Sequence, residues 1–175
     1  MAKKILHLAG CAAFIPSFIE FVKESFELSE HEFLLTEGMA SHELKTYPNV
    51  YLSKTTNAAK LRYYSQAIIK MHEADKIFLH SLFDAKLNVI LFSMPWLLKK
   101  SYWVIWGGDL YVYQLGQRNY KRKIREFFRR PVIKNMGHLV TYIQGDVDLA
   151  RKWYGAKGEY HECLKIGRAS CRERV

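Results

Sequence analysis

Residues Lys76–His80 read KIFLH, and the organisation of the chain can be worked outward from them. Three apolar residues, Ile77, Phe78 and Leu79, sit between a lysine and a histidine. Such a run has the length of a buried strand and is too short for a helix. Residues 84–92 downstream carry apolar residues at helical spacing, and residues 102–106 (YWVIW) are again a strand. Strand, helix, strand in this order implies a right-handed crossover between parallel strands. The pattern continues both ways. Strands are expected at residues 5–8, 32–36, 50–53, 138–143 and 159–163. Pro16 opens a helix with Phe18, Ile19, Phe21, Val22 and Phe26 on one face. Asn57 caps another that carries Leu61, Tyr64, Ala67, Ile68 and Met71. Further helices are expected at residues 120–130 and 146–154. The expected class is α/β: a Rossmann-like, mostly parallel sheet with helices on both faces.

Charge is concentrated rather than spread. The 175 residues carry a net charge of +10. Residues 117–134 hold eight cations (Arg118, Lys121, Arg122, Lys123, Arg125, Arg129, Arg130 and Lys134) against one acid, Glu126. Residues 165–175 hold four cations against Glu173, so the remainder is neutral. A uniformly basic nucleic-acid coat is therefore not expected. Cys11, Cys163 and Cys171 are odd in number and lack CxxC spacing, which favours reduced thiols over a disulfide framework or a zinc site. Lys3-Lys4 followed by Leu8-Ala9-Gly10-Cys11 imitates a lipoprotein signal. The apolar stretch before Cys11 is too short, however, and contains His7. The longest apolar stretch, residues 87–98, is interrupted by Asn88, Ser93 and Pro95 and falls short of a membrane span.

In an open α/β sheet, ligands bind beyond the carboxyl ends of the strands. Four such ends carry suggestive residues: Ala9-Gly10, His80-Ser81, Trp106-Gly107-Gly108-Asp109 and Gln144-Gly145-Asp146. Turn and cap chemistry is the simpler account of Gly10, Gly145 and Asp146. Gly107-Gly108-Asp109, between an aromatic strand and Leu110-Tyr111, points to function. Asp109 suits a general base on an acceptor hydroxyl, or a sugar hydrogen bond, with a helix cap as the alternative. His80 suits a phosphate or a proton, with a buried, satisfied imidazole as the alternative. Trp106, Tyr111 and Tyr113 suit a sugar face or ordinary packing. Walker, HExxH, GxSxG and GxGxxG patterns are all missing from the sequence.

The basic segment has its own pattern. Tyr120, Ile124, Phe127 and Phe128 form one apolar stripe, with the cations at the other positions. Such a helix suits an anionic membrane surface or a pyrophosphate, or it buries the stripe in its own domain. An aromatic stripe without polar base-reading residues counts against a nucleic-acid reader.

At these residues the chain resembles a known family. Residues 102–111, YWVIWGGDLY, are similar to the W-G-x-D-L-Y signature of the TDP-N-acetylfucosamine:lipid II N-acetylfucosaminyltransferases (4-alpha-L-fucosyltransferases, glycosyltransferase family 56). Ile5-Leu6-His7-Leu8 with Gly10, Phe78-Leu79-His80-Ser81-Leu82-Phe83, and Gly145-Asp146 follow in matching order, so the resemblance covers residues 4–164. Ser81 is a departure, because the family pattern has glycine after the histidine.

The resemblance implies the N-terminal, acceptor-side half of a two-domain GT-B enzyme, spanning residues 1–164. The implied donor is a TDP-sugar, held mostly by a second domain. The implied acceptor is a polyprenyl-pyrophosphate-linked saccharide at the cytoplasmic face of the bacterial inner membrane, in the synthesis of enterobacterial common antigen or a related polysaccharide. Catalytic roles fall to Asp109 and His80. Substrate binding falls to Gly10, Ser81, Trp106, Gly107, Gly108 and Tyr111. Phosphate or membrane contact falls to Arg118, Lys121, Arg122, Arg125, Arg129 and Arg130. No metal, cofactor or nucleic acid is implied. Residues 165–175 have no periodicity and read as a non-native, disordered tail on an inactive fragment. The rival expectation is a basic membrane- or nucleic-acid-binding α/β module without catalysis.

Overall fold

The computed structural model describes residues 4–10, 14–36, 44, 47–54, 56–115 and 119–163. Arg118 and residues 165–175 lie outside these described residues. The described residues form seven strands: β1 (Ile5–Gly10), β2 (His31–Thr36), β3 (Val50–Ser53), β4 (Lys76–His80), β5 (Ser101–Val104), β6 (His138–Thr141) and β7 (Glu159–Glu162). Six α-helices accompany them: α1 (Phe14–Ser25), α2 (Asn57–Glu73), α3 (Ala85–Ser93), α4 (Gly108–Leu115), α5 (Tyr120–Lys134) and α6 (Gln144–Tyr154). The strands form one parallel sheet in the order β3-β2-β1-β4-β5-β6-β7. This is the strand order of a Rossmann-like fold, so the expected α/β class holds and the sheet is parallel throughout.

The chain divides into two compact units, with the boundary inside β4, between Phe78 and Leu79. In the first unit, Ile15, Ile19 and Val22 of α1 pack with Ala9, Phe33, Leu35 and Leu44. These three positions are the inward face of α1, at the i, i+4, i+7 spacing of one helical stripe. Phe18 and Phe21 line the margin of that cluster, and Phe26 is exposed, so the expected face is rotated by part of a turn. Helix α2 is capped by Thr56, whose hydroxyl accepts from the Ala59 amide at 3.3 Å, and not by Asn57. Thr56 has the extended backbone that a cap requires, whereas Asn57 is already helical. The buried face of α2 is Tyr63, Ala67 and Met71, while Leu61 is exposed. His7 is buried on β1 between aromatic rings. It stacks on Phe33 and Phe78, and its Nε2 lies 2.9 Å from His31 Nδ1.

In the second unit, Trp103, Val104, Leu139 and Val140 bury the centre of β5 and β6. Helix α3 contributes Leu87 and Leu91, α5 contributes Val132 and Ile133, and α6 contributes Val147, Ala150 and Tyr154. Helix α5 runs past Pro131 to Lys134, four residues beyond its expected end at Arg130. Proline removes one intrahelical hydrogen bond, but the burial of Val132 and Ile133 immediately after it holds the last turn in place. Strand β5 ends at Val104 rather than Trp106, and β6 ends at Thr141 rather than Ile143. Both β-type sequences continue as turns toward the next helix. Asp146 is not a cap. It is the third residue of α6, which starts after Ile143 and closes at the left-handed Gly155 (φ 68°).

Candidate active site

The site is built on the turns that follow β4, β5 and β6, all within the second unit. After β4, Ser81 adopts φ 96°. That region costs a residue with a Cβ about 1–3 kcal/mol. The strain turns the chain so that the Leu82 amide points inward. Asn88 fixes the rest of this turn, its Nδ2 donating to the carbonyls of Leu82 (3.0 Å) and Asp84 (2.9 Å). Asp84 caps α3 through the amides of Lys86 and Leu87.

After β5, Gly107 has φ 86°, and α4 begins at Gly108. A Cβ at Gly108 would touch the ring of Phe83, at 3.5 Å. Asp109 lies in the first turn of α4 and is fully buried, at 0% exposure. Its Oδ2 accepts from the Leu82 amide at 3.0 Å and from Trp103 Nε1 at 2.6 Å, and its Oδ1 from the Leu110 amide at 3.1 Å. One carboxylate thus ties the turn after β4, the core of β5 and the start of α4 together. Burial pushes its carboxyl above the usual carboxylate range. The Trp103 bond, the nearby Arg129 charge and the Leu82 amide pull the other way.

His80 closes β4 and is 2% exposed, with Trp106 at 6.5 Å centroid to centroid. Burial pushes its pKa down to about 3, so the imidazole is neutral at any physiological pH. Trp106, Gly107 and Ser81 are half-buried, and Gly108 and Phe83 are exposed. The surface of the site is therefore glycine backbone and aromatic rings, with Asp109 and His80 beneath it.

The turn before α6 joins the same group. Tyr111 donates its hydroxyl to Asp146 Oδ1 at 3.1 Å, and this bond raises the tyrosine pKa. Tyr113 stacks on Trp153 at 5.3 Å. Among the expected substrate-binding residues, Ser81, Trp106, Gly107, Gly108 and Tyr111 share these neighbouring turns. Gly10 ends β1 in the first unit. Sequence reasoning gave Asp146 to turn chemistry and missed both its bond to Tyr111 and the whole of α4. The Gly107-Gly108-Asp109 sequence held the signal for α4: a flexible turn followed by an acidic first helical turn.

The expected cationic contacts separate into two groups. Lys121, Arg125 and Arg130 are exposed, as is the neighbouring Lys123. Arg129 is buried, donating to Glu126 Oε1 (2.9 Å), to the Tyr154 hydroxyl (3.0 Å) and to the Asp109 carbonyl. Arg122 is half-buried and donates to the carbonyls of Val112 and Tyr113, near the end of α4. These two arginines hold α5 against α4. Three of the four residues of the expected apolar stripe of α5 stand outward, Tyr120 at 77% exposure, Ile124 at 45% and Phe127 at 65%, whereas Phe128 is half-buried with its ring 5.3 Å from that of Phe92. Phe92 of α3, also exposed, lies 6.0 Å from Phe127 and extends the patch.

Residues 13–161 match the family model of 4-alpha-L-fucosyltransferases, glycosyl transferase group 56, and the chain belongs to that family. A search of curated proteins found no match. The family makes the activity that of a fucosyltransferase-type glycosyltransferase, acting with a nucleotide-sugar donor and a glycan acceptor.

Proposed function

We propose that this glycosyltransferase moves N-acetylfucosamine from a TDP-sugar to a polyprenyl-pyrophosphate-linked saccharide while seated on an anionic membrane surface. The described residues supply the acceptor side of a GT-B enzyme, and the donor is held mainly by a second domain of the full-length protein. The setting is the cytoplasmic face of the bacterial inner membrane, in the synthesis of enterobacterial common antigen or a related surface polysaccharide. The observation that carries this reading is the exposed face of α5. Tyr120, Ile124 and Phe127 stand in solvent beside Lys121, Lys123 and Arg125, the arrangement of an interfacial helix. Among the described residues no helix is long and apolar enough to cross a membrane; in this reading attachment is peripheral, through the exposed face of α5.

In this reading the half-buried Trp106 and the Gly107-Gly108 backbone receive the acceptor sugar. Asp109 acts as a positioning residue, because both of its oxygens are committed to N–H donors inside the fold. His80, neutral and enclosed, contributes hydrogen bonding rather than charge; a base with a pKa of about 3 accepts a proton only weakly at neutral pH.

Co-sedimentation with phosphatidylglycerol vesicles tests the reading. The wild-type chain is expected to pellet with them and to stay in solution with neutral phosphatidylcholine vesicles. Ile124→Glu with Phe127→Glu is expected to abolish pelleting and, in the full-length enzyme, to lower transfer to a lipid-linked acceptor but not to a soluble one. Equal pelleting of the variant would overturn the membrane assignment.

A further inference from the structure

At the opposite ends of β6 and β7 from the turns described above, three potential ligand atoms converge. His138 and Glu159 are the first residues of their strands and are paired in register; Val140 pairs with His161. Side chains alternate along a strand, so positions 138, 159 and 161 project from the same face of the sheet. His138 Nδ1 lies 2.9 Å from His161 Nε2. Glu159 Oε2 lies 3.6 Å from the former and 3.8 Å from the latter. Among the described residues this is the one group of three such side chains with ligand atoms close enough to share an ion.

The backbone beneath is held to close tolerances. Gly137 and Gly158 immediately precede the two strands. A Cβ at Gly137 would overlap the carbonyl oxygens of Lys99 and Leu98, and one at Gly158 would stand 2.7 Å from that of Met136. The Glu159 amide donates to the Gly137 carbonyl at 2.9 Å, which sets the register that brings Glu159 beside His138. The ring of Tyr102 stacks on His138 at 4.0 Å and 11°, fixing the orientation of that imidazole.

We propose that His138, Glu159 and His161 form a binding site for a divalent transition-metal ion of the zinc type, which clamps the edge strand β7 to β6. Two imidazoles and one carboxylate are a donor set suited to such an ion, leaving a fourth position for water. Zinc bonds of about 2.0–2.1 Å in a tetrahedron place ligand atoms about 3.3 Å apart. The Glu159 distances are somewhat wider than this and the histidine pair somewhat closer. The 2.9 Å separation is that of a shared proton between the two rings, which the ion displaces with a sub-ångström adjustment. The buried His7–His31 pair in the first unit has the same 2.9 Å spacing, but among the described residues it is not part of such a group of three. The site stands apart from the transfer chemistry, so its role is to hold the sheet edge.

The test is titration of the metal-free chain with Zn²⁺ against a chromophoric chelator at pH 7.5. One equivalent is expected to bind with micromolar or better affinity and to raise the thermal midpoint. Co²⁺ in its place is expected to give the visible absorption of a four- or five-coordinate ion. Glu159→Gln and His161→Gln should each weaken Zn²⁺ binding at least tenfold and remove the midpoint rise. His138→Phe keeps a ring on Tyr102 while deleting the ligand, and should behave likewise. Should His138→Phe fail to fold, Glu159→Gln, at an exposed position, still decides the matter. Absence of stoichiometric binding up to about 100 μM Zn²⁺ would overturn the proposal, as would affinity unchanged in His161→Gln and Glu159→Gln.

Discussion

Trp103 donates its indole N–H to Asp109 Oδ2 at 2.6 Å, and both side chains are fully buried. A strand residue facing the core and the acid of the W-G-G-D-L-Y turn are therefore one structural unit. Asp109→Ala leaves the Trp103 and Leu82 donors without an acceptor, at about 1–3 kcal/mol each. A loss of about 2–5 kcal/mol in urea denaturation is expected. Asp109→Asn keeps one oxygen for these donors and should lose clearly less. Equal stability of Asp109→Ala and wild type would show that the carboxylate does not hold the turns together.

Ser81 adopts a backbone region suited to glycine. Ser81→Gly relieves that strain at some cost in unfolded-chain entropy, and a net gain of about 0.5–2 kcal/mol is expected. Ser81→Ala should bring no such gain, because it keeps the Cβ. Denaturant midpoints for the two variants measure the difference.

His80 and Asp109 give stability opposite dependences on pH. The histidine pKa is lowered in the fold, so the unfolded chain binds the proton more tightly. The contribution of His80 is present above its ordinary pKa of 6.5 and is lost as pH falls toward about 3. The carboxyl of Asp109 is raised, so its contribution is present below the ordinary value of 3.8 and is lost as pH rises through the folded pKa. Relative to wild type, His80→Gln should flatten the acid-side decline, whereas Asp109→Asn should gain stability as pH rises. Parallel pH–stability curves for wild type and His80→Gln would refute the assignment.

Arg125 and Arg129 stand on one helix but differ in role. Arg129→Met removes a buried guanidinium from Glu126, Tyr154 and the Asp109 carbonyl, and should cost about 3–5 kcal/mol. Arg125→Gln should leave the urea midpoint nearly unchanged and weaken binding to anionic vesicles, most visibly at low salt. The reverse pattern would mean that α5 docks the other way round.

Much of the fold was legible in sequence. Strands β3 and β4 match their expected bounds, and the remaining strands and five of the helices lie within a few residues of theirs, because apolar runs and helical spacing are local signals. Helix α4 was missed even though Asp109 marks an acidic first turn, since Gly107-Gly108 also suits a loop and a helix of 8 residues is too short for a clear helical period. The site was legible as a set of strand ends and glycines. The committed oxygens of Asp109 were not, because the donors to them come from Trp103, six residues upstream, and Leu82, twenty-seven residues upstream.

Sequence alone determined the alternation of strand and helix, the α/β class, the family resemblance and the single basic helix, since each is written in short-range pattern. Tertiary structure decided which face of each helix turns inward. It left Tyr120, Ile124 and Phe127 in solvent, drew Arg129 into the core, and brought His138, Glu159 and His161 together from two strands. Burial and convergence depend on what neighbouring elements place opposite a residue, and no local pattern carries that information.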